Sequence, residues 1–103
     1  MLDQVSGLSL DNSAPASIRF KVPDKKASYE VIFDAILRTQ PKDRVTVKVN
    51  SKSGAEYEFK PGESKIPLRY VTADQNGIIH INFKRQGEKT GYLYLTSMTV
   101  NKE

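Results

Sequence analysis

The chain holds one histidine, His80, and no cysteine, and these two counts remove much of the chemistry a protein can perform. A thiol nucleophile, a thiolate metal site and a disulfide are excluded, and a single imidazole builds neither a histidine metal cluster nor a two-histidine relay. Serines are numerous, but no Gly-x-Ser-x-Gly turn presents one as a nucleophile. Asp24, Asp34, Asp43, Glu56, Glu58, Glu63 and Asp74 are spread over turns and strand exteriors, and a glycosidase-like carboxylate pair would need a deep cleft around it. The six glycines stand singly beside turn residues, so no phosphate-binding loop is present. The EF-hand pattern is also absent, so a structural calcium would have to be assembled from loops. These residues predict a protein that is not an enzyme and carries no cofactor.

Recognition must then come from surfaces, and the strands decide which side chains share one. Apolar and polar residues alternate with a period of two, most clearly in Arg44–Asn50 and Ile79–Lys84, so Val45, Val47 and Val49 point to one side while Thr46, Lys48 and Asn50 point to the other. Residues 1–16 read as a lead-in with a short edge strand near Gly7–Asp11, and residues 17–103 as a single domain. Ile18, Phe20 and Val22 form a strand that ends at the turn Pro23-Asp24-Lys25-Lys26. Tyr29–Leu37 fits two templates. As a strand it buries Tyr29, Val31, Phe33, Ala35 and Leu37; as a helix it stacks Tyr29, Ile32, Phe33, Ile36 and Leu37, and its β-branched and aromatic content favours the strand.

Pro41-Lys42-Asp43 predicts a turn, and Asn50–Gly54 a hairpin onto Tyr57 and Phe59. Ile66, Leu68 and Tyr70 share a phase on a strand whose Pro67, lacking an N–H, belongs at an edge or a bulge. Asp74-Gln75-Asn76-Gly77 carries a hairpin signal. In Tyr92–Val100 the phase slips at Thr96-Ser97, which predicts a bulge or a bend where the strand changes sheets. Seven or eight such strands imply an all-β antiparallel sandwich of jelly-roll type; the alternative is an α+β fold with residues 28–39 helical.

Sixteen basic and twelve acidic residues leave a net charge of +4, a mild bias toward anionic partners. No apolar run approaches the ~20 residues of a membrane span. A base-stacking OB-fold is disfavoured because Tyr29, Tyr57 and Phe59 lie on the core phase, so neither nucleic acid nor membrane is an expected partner. The outward phases display Arg19, Lys21, Thr46, Lys65 and Lys84 together with the candidate ligand-binding residues Tyr92, Tyr94, Arg69, His80, Asn82, Lys48 and Asn50. Side chains of this kind donate to hydroxyls or carboxylates, and a tyrosine ring packs on the C–H face of a sugar. The bland reading of the same residues is a solvated sheet exterior.

The segments Ser17–Pro23, Ser28–Val31, Arg44–Asn50, Gly77–Phe83 and Gly91–Val100 together resemble the galactose-binding-like β-sandwiches, in particular the non-catalytic carbohydrate-binding modules of glycoside hydrolases. The resemblance implies a secreted or cell-surface, bacterial module with a polysaccharide partner and neighbouring domains in a larger protein. Met1-Leu2-Asp3-Gln4 has no signal-peptide character. Two departures stand beside the likeness: the chain has no tryptophan, and Thr99–Glu103 lacks the aspartate that a structural calcium would take from the last strand. The competing expectation is a structural or protein-interaction domain of the same fold, with no glycan ligand.

Overall fold

A computed structural model describes the backbone of residues 2–3, 8–10, 16–38, 45–87 and 91–103, and the side chains of 17–38, 45–87 and 93–103. Among the described residues nine strands run in chain order: β1 (Leu2–Asp3), β2 (Leu8–Leu10), β3 (Ala16–Lys21), β4 (Ser28–Arg38), β5 (Thr46–Ser51), β6 (Glu56–Phe59), β7 (Lys65–Thr72), β8 (Ile78–Gln86) and β9 (Gly91–Lys102). Every pairing is antiparallel. One sheet has the order β1-β9-β4-β7, with β2 also on β9, and the other has β3-β8-β5-β6. We call them the β4 sheet and the β8 sheet.

The two inner faces make the core, as period-two alternation requires. Val47 and Val49 of β5, Ile79, Ile81 and Phe83 of β8, and Val31, Phe33 and Ala35 of β4 are all buried. Residues 28–38 are therefore strand, and the helical alternative for 28–39 does not hold over them. The reason lies in the partners: β4 sits between β9 and β7, so its inner face meets the opposite sheet while both its edges are hydrogen-bonded. Among the described residues no helix is long and apolar enough to cross a membrane.

Three local expectations need correction. The slip at Thr96-Ser97 is a bulge, since Asp34 faces Ser97 while Ala35 faces Leu95, but β9 stays in the β4 sheet throughout. The Asp74–Gly77 turn forms, with Gly77 N–H donating to the Asp74 carbonyl at 3.0 Å and Gly77 at φ 79°. It carries the chain from one sheet to the other, because β7 and β8 are not neighbours. Tyr70, expected on the buried phase with Ile66 and Leu68, is 69% exposed, and Val71 takes the inner position. The proline expectation holds: Pro67 lies on β7, the outer strand of the β4 sheet. The turn expected at Pro41-Lys42-Asp43 lies outside the described residues.

Tyr70 is displaced by a second bulge, in which Arg69 and Tyr70 together oppose Glu30, between the pairs Tyr29–Val71 and Val31–Leu68. Tyr70 adopts φ 57°, the left-handed region that a bulky residue enters only under strain. Its side chain gains little in return, as the Arg69 guanidinium lies 5.2 Å above the ring on an exposed surface. Tyr70→Gly is expected to raise stability by about 1 kcal/mol, the strain relieved exceeding the entropy glycine adds to the unfolded chain. A thermal melt that drops for this variant would show that the ring's contacts outweigh the strain.

Candidate functional site

The register of the β8 sheet places outward side chains in rows. Arg19 faces His80 and Ser17 faces Asn82 across β3 and β8. Asn50 faces Asn82, and Lys48 faces Lys84, across β5 and β8; Glu56 and Glu58 continue these rows on β6. Four of the candidate residues, Lys48, Asn50, His80 and Asn82, thus share one face. Asn50 and Asn82 stand directly opposite each other on the two central strands, at the ~5 Å spacing of paired strands, and neither amide has an internal hydrogen-bond partner among the described residues. Their donors and acceptors are available to a ligand.

The remaining candidates lie elsewhere. Tyr94 is on the outer face of the β4 sheet, paired with Ile36, and the Arg38 guanidinium is 5.9 Å from its ring centre. Arg69 is at the far end of the same face, held 3.7 Å from Glu30 and 3.6 Å from Glu103. Tyr92 pairs with Arg38 in the backbone register, and its side chain lies outside the described residues. The single recognition face expected from the outward phases is therefore two faces on opposite sides of the sandwich.

At the end of the β8 face an open cleft of about 240 Å³ is lined by Lys52, Ser53, Thr72, Ala73, Asp74, Ile78 and His80. His80 Nε2 lies 2.8 Å from Asp74 Oδ2. The other Asp74 oxygen accepts the backbone N–H groups of Asn76 and Ile78, so one carboxylate closes the turn and orients the imidazole together. Ser53 is in the same cleft, but its hydroxyl is engaged with Ser51 Oγ and accepts the N–H of Thr72. No nucleophile-to-base hydrogen bond forms there, and the arrangement positions donors without activating a serine. In the sequence Asp74 is one of several scattered turn acids and Lys52 one of many surface lysines; the spacing of Asp74 and His80 across an Asn-Gly turn is the signal that joins them to a site.

The His80 hydrogen bond, reinforced by the Ile78 and Asn76 N–H groups, holds the Asp74 carboxyl down at about 2. A carboxyl depressed by folding contributes stability that is present above its unfolded value, about 4, and is lost as the pH falls toward the folded one. Asp74→Asn keeps an oxygen for the turn but removes the charge. The gap in melting temperature between wild type and this variant is expected to close as the pH drops from about 4 to about 2; a gap that stays constant would sink the assignment.

These features define an antiparallel β-sandwich with a polar outer face on the β8 sheet. No protein-family model matches the chain, and no curated protein matches it. Among solved structures the chain is similar to a carbohydrate-binding module, CBM36, determined in complex with calcium and xylotriose. The TM-score is 0.52 over 98% of this chain and 88% of that one, at 9% sequence identity, so the likeness is one of fold.

Calcium asks for six to eight oxygen ligands. Among the described residues no three acidic or histidine side chains gather. Asp24, Asp34 and Asp74 are each already paired, with Lys102, Lys65 and His80 respectively. No acidic cluster that could supply the charged ligands of a calcium ion forms among the described residues.

Proposed function

We propose that this chain is a non-catalytic carbohydrate-binding module that attaches a larger extracellular protein to a glycan, with the outer face of the β8 sheet as the contact surface. The observation that carries the reading is the opposed pair Asn50 and Asn82 at the centre of that face, flanked by Arg19, His80, Lys48 and Lys84. Amides offer donor and acceptor together, the combination a sugar hydroxyl needs, and the cations around them add donors of longer reach. The fold likeness to a module solved in complex with calcium and xylotriose supports the same class of partner. Attachment of this kind works by raising local concentration and needs only modest intrinsic affinity.

The test is retention of the whole chain on a panel of soluble and insoluble polysaccharides, read against a non-binding protein of similar size. Retention on at least one glycan is the expected result, and retention on none ends the reading. A second reading, a contact domain within a larger assembly, is favoured by one observation: Ile36 and Tyr94, paired on the β4 sheet, are 49% and 39% exposed. Failure on every glycan would leave that reading standing.

A further inference from the structure

Among the described residues the sandwich sorts its charges between its two outer faces. On the β4 sheet side the cations are satisfied: Lys65 with Asp34 at 2.6 Å, Arg69 with Glu30 and Glu103, and Arg38 against the Tyr94 ring. Lys102 pairs with Asp24 at 3.0 Å close to the same end. On the β8 sheet side Lys48 approaches Glu56 at 3.8 Å, while Arg19, Lys21, Lys84 and, at the cleft, Lys52 have no carboxylate partner among the described residues. All four of these unpaired side chains are exposed.

The strand register brings those charges to the same rows as the hydroxyl-matching groups. Arg19 stands beside His80, and Lys84 is two residues along β8 from Asn82. The one carboxylate in the cleft, Asp74, is spent on two backbone N–H groups and the His80 imidazole, so its charge is offset locally. Among the described residues the acidic side chains of this face, Glu56 and Glu58, are on β6, the edge strand opposite β3. From one side of this face to the other the surface runs from cationic to acidic, with amides between.

Resting on the glycan-binding reading, we infer that the ligand of the β8 face is an acidic polysaccharide whose carboxylates meet Arg19, Lys84 and Lys52 while its hydroxyls meet Asn50 and Asn82. A planar guanidinium takes a carboxylate through two parallel hydrogen bonds, and lysines add point charge. Uronate units supply both groups on one ring. A neutral glycan would leave the cations of this face without partners, and a nucleic acid would find no described aromatic ring on it for its bases to stack on.

The probes are polygalacturonate, alginate and glucuronoxylan, each beside its carboxyl-reduced counterpart, titrated with the whole chain at low and high salt. At least one acidic polymer is expected to bind tenfold or more tighter than its reduced form, and the difference is expected to shrink at high salt. Arg19→Gln with Lys84→Gln is expected to remove most of that difference, whereas Lys102→Gln, an equal loss of charge per site from a paired lysine, leaves it in place. A circular dichroism melt of each variant confirms that the fold is kept. Equal binding of acidic and reduced polymers overturns the inference and leaves the glycan reading intact; binding to no polysaccharide, acidic or neutral, overturns both. Tighter binding to single-stranded DNA or to a sulfated polymer than to any polyuronate also overturns the inference.

Discussion

Phe83→Ala is expected to cost about 4 kcal/mol of stability, a large share of the roughly 5 to 15 kcal/mol that a domain has to lose. Phe83 is wholly buried on β8, which lies between β3 and β5 in its own sheet. Its ring meets that of Phe33, from the centre of the opposite sheet, edge to face at 5.3 Å and 76°. Both strands are pinned by neighbours on both edges, so neither sheet can move in to close the space that the lost ring leaves. The cost therefore carries the cavity contribution as well as the lost transfer energy. Chemical denaturation measures it, and a double-mutant cycle with Phe33→Ala is expected to show a coupling of about 1 kcal/mol for the edge-to-face contact. A loss below roughly 1.5 kcal/mol for Phe83→Ala would mean that the sheets are not held together through this pair.

What was legible beforehand is what a period of two can carry. The inward set of β4, the edge position of Pro67 and the bulge at Thr96 all follow from local alternation or from the missing proline N–H. Tyr70 was not legible, because a bulge changes the phase of every residue beyond it. Nothing in Leu68-Arg69-Tyr70-Val71 announces that two residues will face Glu30 alone. The pairing order was equally hidden: a strand's alternation says which residues share its outer side, but not which other strand lies beside it. Asn50 and Asn82 are 32 positions apart in the chain and become neighbours only because β5 pairs with β8. The same limit let Tyr94 and Arg69 join a face to which they do not belong.

The double substitution Asn50→Ala/Asn82→Ala tests that neighbourhood directly and is expected to weaken glycan binding by about 5- to 140-fold. The estimate counts roughly 0.5 to 1.5 kcal/mol for each amide that loses its hydrogen bonds to a neutral hydroxyl, with about 1.4 kcal/mol to each factor of ten. Because neither amide bonds to another group of the described chain, truncation strands no internal partner, and the fold is expected to keep its stability to within about 0.5 kcal/mol for each substitution. Affinity electrophoresis in the best-retaining polysaccharide reads the first effect and a thermal melt the second. Tyr94→Ala, measured alongside, decides between the two sides of the sandwich, since its ring offers sugar-stacking surface on the β4 sheet and touches nothing on the β8 sheet. A larger loss for Tyr94→Ala than for the asparagine pair would move the binding surface to the β4 sheet, and the unpaired cations of the other face would then be a solvated exterior.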